Sequence, residues 1–381
     1  MNLSKLQSII ESIILPAFIS KPVMSMKAGL LKFINVLNIP YQKRFPKFTL
    51  KTTIEGHTNK ELADYYEKNF KFKDGIFIYA EDYGISDIGD QCLWNGIYSA
   101  YNSIFKDGEY HFEYCKHFVR IVNGKYILLR GAEGDRIRYD GSGDQLTGFL
   151  FALSEQKRNR PDNINSRAIK FLDQFINTRI LYDESGNPSQ FGSFNSNLIT
   201  INGDCIIYLA ACALAGDWQL FDKYYYNYNY KSMLNHGSVY LWDERYRGRR
   251  NWFSDNIALI ALCVLFYELK TIIPNELQLD IRNAIVNILN TNKYRLWFWL
   301  IAVHVGAISK EMIPQEAYDY FETFRLNTDK QDCPPFYNLG YQMADWNWQR
   351  SPFSTNQDHQ WISRIDQIFT QKLKEKYIGE V

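Results

Sequence analysis

No charge of one sign dominates this chain. Its 43 lysines and arginines stand against 42 aspartates and glutamates, a formal net charge of +1. Without a single-sign field there is nothing to steer the protein onto nucleic acid or an anionic membrane surface, so neither is expected as a partner. Long uncharged apolar runs are missing too. No stretch of about 18 apolar residues goes without a charge, and a membrane-spanning helix is not expected. The six cysteines, Cys92, Cys115, Cys205, Cys212, Cys263 and Cys333, include no C-x-x-C pair. Most fall inside apolar helical runs, which suits buried thiols rather than a disulfide frame. Cys115 and His117 are close in sequence but two apart on a helix, where they point to different faces, so no metal site is expected. His304, alone in an apolar helix, reads as a satisfied core group. Phosphate-loop, dinucleotide and nucleophile-elbow motifs are absent, and no cofactor is expected. The first apolar stretch carries Glu11 and no clean cleavage site, which predicts a cytoplasmic or virion-associated protein.

What the chain has instead is one phrase, four times over. Gly89-Asp90-Gln91, Gly143-Asp144-Gln145, Gly203-Asp204-Cys205 and Ser254-Asp255-Asn256 each open a long apolar stretch. The aspartates stand 54, 60 and 51 residues apart, the mark of a repeat architecture. An aspartate suits a helix start, because its carboxylate accepts from the unpaired first-turn amides and faces the positive end of the dipole.

The apolar stretches predict helices over 90–105, from 144 onwards, over 204–215, over 255–269 and, without the aspartate, over 294–307. Amphipathic segments near 111–122, 164–178, 218–230, 274–289 and 315–325 predict helices with one wet face between them. Thr58 and Glu61 form a capping box that opens a helix to about Phe70, and a last helix is expected over 358–374. The long loops fall mostly just before the apolar helices. Alternating apolar and amphipathic helices predict an all-α fold, an (α/α)6 toroid of inner and outer helices over 56–381. Five inner helices are distinct, and the sixth pair would join the two ends of the chain. Helices near 3–19 and 24–37 would form an N-terminal extension, 1–55.

Gly89-Asp90-Gln91 with Trp94 and Gly96, Arg130-Gly131 followed by Ser142-Gly143-Asp144-Gln145 with Gly148, and Asp345-Trp346-Asn347-Trp348 resemble the six-hairpin (α/α)6-toroid glycosidase superfamily. The likeness is nearest to the unsaturated glucuronyl and rhamnogalacturonyl hydrolases and spans roughly residues 75–350 through short motifs. Those enzymes use an aspartate at the barrel mouth as general acid and base, with a second aspartate nearby. The resemblance therefore implies Asp144 as acid/base, Asp90 as its partner, and an oligo- or polysaccharide substrate, uronic-acid-containing ones among them.

The residues themselves allow the same chemistry. Two carboxylates at helix mouths can protonate a leaving oxygen and activate water. Both are equally well explained as helix caps, and capping is the preferred reading for Asp204 and Asp255. The loop acids Asp87, Glu133, Asp135 and Asp140 are alternative catalytic groups but read as solvated charges. Arg130, Arg136 and Arg138 could grip an acidic sugar through paired hydrogen bonds, or pair with the acids beside them. The loop residues Trp242, Trp346 and Trp348, with Asp345, are expected to stack and orient sugar rings, whereas Trp94, inside a helix, reads as core. Arg245, Arg247, Arg249 and Arg250 suit acidic polysaccharide or solvent better than nucleic acid. The competing class is a carbohydrate-binding or structural toroid without activity, for example part of a phage particle. The Asn-, Ile-, Lys- and Tyr-rich vocabulary fits a bacterium or its phage.

Overall fold

The computed structural model describes residues 59–82, 85–193, 204–227, 252–270, 275–293, 295–323, 361–362 and 365–379. All lie in the second of two units, Thr52–Val381. The expected N-terminal extension lies outside the described residues. Among these residues the chain is mostly helical, with short strands as its only other regular structure.

The helices are α1 (Asn59–Lys68), α2 (Gln91–Phe105), α3 (Tyr110–Phe118), α4 (Gly143–Asn159), α5 (Ser166–Thr178), α6 (Asp204–Ala215), α7 (Trp218–Asn227), α8 (Trp252–Leu269), α9 (Asn275–Thr291), α10 (Leu296–His304), α11 (Gln315–Thr323) and α12 (Ile365–Tyr377). The even-numbered helices α2 to α10 follow the apolar stretches of the sequence. In α8 every residue from Asp255 to Phe266 is buried, and in α10 every residue from Leu296 to Ala302. A helix without a wet face has protein on all sides. The odd-numbered helices bury a stripe instead. In α5 that stripe is Ala168, Phe171, Leu172, Phe175 and Ile176, the three- and four-residue spacing of a single helical face.

The even helices pack in chain order: α2 on α4, α4 on α6, α6 on α8, α8 on α10 and α10 on α12. Helix α12 also packs on α2. Each odd helix docks on an even one: α3 on α2, α5 and α7 on α6, α9 on α8, α11 on α10, and α1 on α12. The first and last described helices therefore meet.

Short antiparallel strands fill the gaps before α2, α4 and α6. Strands β1 (Phe72–Lys73) and β2 (Ile76–Phe77) pair with each other. So do β3 (Ala80–Asp82) and β4 (Ile85–Ser86). Two further pairs precede α4: β5 (Val119–Val122) with β6 (Lys125–Leu128), and β7 (Gly131–Glu133) with β8 (Arg136–Arg138). Before α6, β9 (Ile180–Tyr182) pairs with β10 (Pro188–Ser193). The last strand, β11 (Trp361–Ile362), joins β3.

The structure corrects two expectations. The helix expected through 122 stops at Phe118, because Val119, Ile121 and Val122 favour a pleated chain and Asn123-Gly124 supplies a hairpin turn. Both turn residues have positive φ, 51° and 76°, as a two-residue turn of that kind requires. Helix α8 begins at Trp252, three residues before the expected aspartate. Asp255 is thus inside the first turn rather than capping it, and its Oδ2 accepts from Asn292 Nδ2 at 2.9 Å.

Candidate active site

Helix α2 starts at Asp90, which occupies the capping position with φ −136° but makes no side-chain cap. Its carboxylate turns away from its own helix. Oδ1 accepts from Arg130 Nη1 and from Gln145 Nε2, each at 2.7 Å. Asp90 is only 1% exposed. The phenol of Tyr79, stacked on Trp94, accepts the Asp90 N–H at 3.4 Å. Burial pushes that phenol well above its ordinary pKa, and the charges of Asp87 and Asp90 push the same way, so it stays protonated.

Arg130 sits between β6 and β7 and is held by its own backbone. Its N–H donates to Arg138 O and its carbonyl accepts from Cys92 N–H, both at 2.9 Å. From there the guanidinium reaches Gly89 O at 3.3 Å, Asp140 O at 3.2 Å and Ser142 Oγ at 3.2 Å besides Asp90. Asp140 Oδ2 lies 3.3 Å from its Nε. Burial would raise the Asp140 carboxyl, but Arg138 and Arg130 outweigh it and hold the group below the usual carboxylate range.

Ser142 is the cap residue of α4, and Gln145 is the third residue of that helix. Gln145 Oε1 accepts from Ser142 N–H at 3.1 Å and from its hydroxyl at 2.7 Å. The amide orientation follows from this. Only its oxygen can face a backbone N–H, so its nitrogen faces Asp90. Asp144 lies between these two residues in the first turn, partly exposed. Neither Asp90 nor Asp144 therefore serves as a simple cap.

Glycines bring the two helix starts together. A Cβ on Gly96 would fall 2.9 Å from Gly148 Cα and nearer still to the Gly148 carbonyl. A Cβ on Gly148 would lie 2.9 Å from Leu93 Cα. Gly131 and Gly141 are likewise pressed against the carbonyls of Ile88 and Leu128. Gly96, Gly148, Gly131 and Gly141 thus serve backbone contact between α2 and α4 and the loops that lead into them.

Arg136 and Arg138 lie on β8 at the edge of this site. Arg138 donates to Asp140 through Nε, to Oδ1 at 3.1 Å, and through Nη2, to Oδ2 at 2.5 Å. Arg136 donates to Ser86 O at 2.9 Å and lies 3.4 Å from Glu133. Glu133 also pairs with Lys73. Both arginine side chains keep more than two-fifths of their surface exposed, 44% and 42%. Asp90, Arg130, Arg138 and the first turn carrying Asp144 therefore converge. Trp242, Asp345, Trp346 and Trp348 lie outside the described residues, as does the basic loop 245–250. Trp94 is buried.

Two participants escaped the sequence reading. Gln145 and Ser142 tie the two repeats together, and the signal was the S-x-x-Q spacing of a capping box. Cys115 contacts His111, not His117: its Sγ lies 3.5 Å from His111 Nε2, one helical turn away. His117 instead reaches Ala132 O at 2.9 Å. Among the described residues no group of three or more His, Cys, Asp or Glu side chains could hold a metal ion.

No protein-family model matches the chain, and neither the curated proteins nor the solved structures compared with it give a match. Function has to be read from the residues themselves.

Proposed function

We propose that the protein is a glycoside hydrolase-like (α/α)6 toroid acting on an oligo- or polysaccharide, with Asp144 as general acid and base and Asp90 as its partner. The toroid reading draws support from the order in which the six even helices pack, each on the next and the last on the first, with the odd helices docked on them; α4 also packs on α8. The catalytic reading is supported by one observation: the buried Asp90 carboxylate is clamped by Arg130 and by Gln145, the residue that follows the partly exposed Asp144 in the first turn of α4.

The reaction needs a proton at the bridging oxygen. The Asp144 carboxyl gives its proton to the glycosidic oxygen as the bond from that oxygen to the anomeric carbon breaks. Water adds to that carbon, and the proton it sheds returns to the Asp144 carboxylate, so one group serves both halves. Arg136 and Arg138 give the reading its preference for acidic sugars, since an exposed guanidinium can meet a uronate carboxylate with two parallel bonds.

Burial of Asp90 favours a second reading, a carbohydrate-binding or structural module in which the cluster only joins α2 to α4. Cleavage assays on plant and bacterial capsular polysaccharides separate the two. Wild type releases reducing ends and Asp144→Asn, folded by circular dichroism, does not. Binding without cleavage, unchanged in Asp144→Asn, would leave the non-catalytic reading.

A further inference from the structure

A hydrolase with two catalytic carboxylates would use Asp90 at the reacting atoms. Its surroundings argue for a different role. The side chain is enclosed, and its Oδ1 is taken by two donors at 2.7 Å. Each donor leads on to the first turn of α4. Through Gln145 the link runs to the Ser142 N–H and hydroxyl. Through Arg130 it runs to Ser142 Oγ, and to Asp140 two residues earlier. The two paths meet on either side of Asp144. An ordinary helix start is held by its own cap, whereas this one is also held by a charge on the neighbouring helix. Hydrogen bonds to a carboxylate are short and strong, and this one is sheltered from water.

We infer that Asp90 is a positioning residue for Asp144, acting through Gln145 and Arg130, and not a second group at the reacting atoms. The inference rests on the hydrolase reading of Asp144. It also accounts for one buried and one partly exposed aspartate in otherwise matching phrases. The buried charge orders the turn, and the exposed residue exchanges protons with substrate and water. A reacting group displaced by about 1 Å costs about 100-fold in rate, which sets the scale of what Asp90 contributes.

Asp90→Asn and Asp144→Asn separate the roles. Two readouts are needed: polysaccharide cleavage across pH with and without azide, and amide hydrogen exchange at Leu146, whose N–H bonds to Ser142 O in the first turn. For Asp90→Asn the expectation is a kcat lower by about 100-fold, with KM and the shape of the pH profile unmoved and no rescue by azide. Exchange at Leu146 should quicken at least about tenfold, by loss of one strong tether. Asp144→Asn should abolish cleavage at every pH.

Azide rescue of Asp90→Asn, a change in the shape of its pH profile, or unaltered exchange at Leu146 would each overturn the inference. If wild type cleaves no polysaccharide, the hydrolase reading fails, and the exchange experiment still decides whether Asp90 orders the turn. Should Asp90→Asn not fold, Gln145→Met, which keeps the carboxylate and Arg130, carries the same readouts.

Discussion

Gly96 of α2 and Gly148 of α4 meet backbone to backbone, so closely that a single methyl group on either would overlap the other helix. The contact lets the starts of the two helices approach, and with them Asp90 and Gln145. Neither helix can retreat cheaply, since each is also packed on its other sides. Gly96→Ala should therefore destabilise the protein by at least about 2 kcal/mol, toward the upper end of what overpacking costs, although alanine is the better helix former. Urea unfolding measures it, and a midpoint equal to wild type would mean that the crossing is not this tight.

That crossing marks where the sequence was legible. Helix positions followed from periodicity: α2, α5, α6, α7 and α9 start or stop within a few residues of expectation, since long stripes of Leu, Ile and Phe tolerate few other arrangements. Most of the strands were not legible, because two to four residues such as Ile85-Ser86 or Arg136-Ile137-Arg138 are too short to show a period. The site was half legible. Asp90, Arg130 and Asp144 stand out by type and place, and the structure gathers them. Which acceptors Arg130 reaches, and that Asp90 faces another helix rather than its own first turn, depend on contacts between residues 10 to 55 apart. No local pattern carries those.

The thiols make a simple test of the core. Cys92, Cys115, Cys205, Cys212 and Cys263 are all buried. Burial pushes Cys92 and Cys212 up to about 12, and Cys115 and Cys263 higher still. A thiol is reactive only as thiolate. At pH 8 a disulfide reagent should label at most one of the six cysteines of the folded protein, and all six in guanidinium. Rapid labelling of two or more in the native state would contradict this packing.

His111 is fully buried between α2 and α3, with Ser99 Oγ and Cys115 Sγ each 3.5 Å from its ring nitrogens. Burial lowers its imidazole to about 4. In the unfolded chain histidine takes its proton near 6.5. Between those values the unfolded state binds a proton that the folded state refuses, so stability falls as pH drops from about 6.5 to about 4. The full contribution is present above that window and amounts to about 3 kcal/mol at most. Unfolding free energies measured from pH 7 to 4 should slope more steeply in wild type than in His111→Gln. Equal slopes would show that His111 takes up its proton within the fold.

At the other end of α4 from Asp144, a second polar cluster joins three even helices. Glu155 and Arg158 belong to α4, His304 to α10 and Tyr377 to α12. His304 Nε2 lies 3.0 Å from Glu155 Oε2, and its Nδ1 lies 2.6 Å from the Tyr377 hydroxyl. Arg158 reaches Glu155 Oε1 at 3.3 Å and the His304 carbonyl at 2.9 Å. Burial works to raise the Glu155 carboxyl, yet His304, Arg158 and Asn159 together hold it below its usual range. A carboxylate lowered by folding stabilises the protein above the ordinary glutamate value near 4.3. That stability is lost as pH falls further, through the folded value. Removing one partner of such a buried set leaves the others uncompensated, at a cost of about 3–5 kcal/mol. Glu155→Gln should thus lose that much at pH 7, and the difference from wild type should shrink below pH 4. A variant as stable as wild type at pH 7 would show that apolar packing alone holds α4, α10 and α12 together.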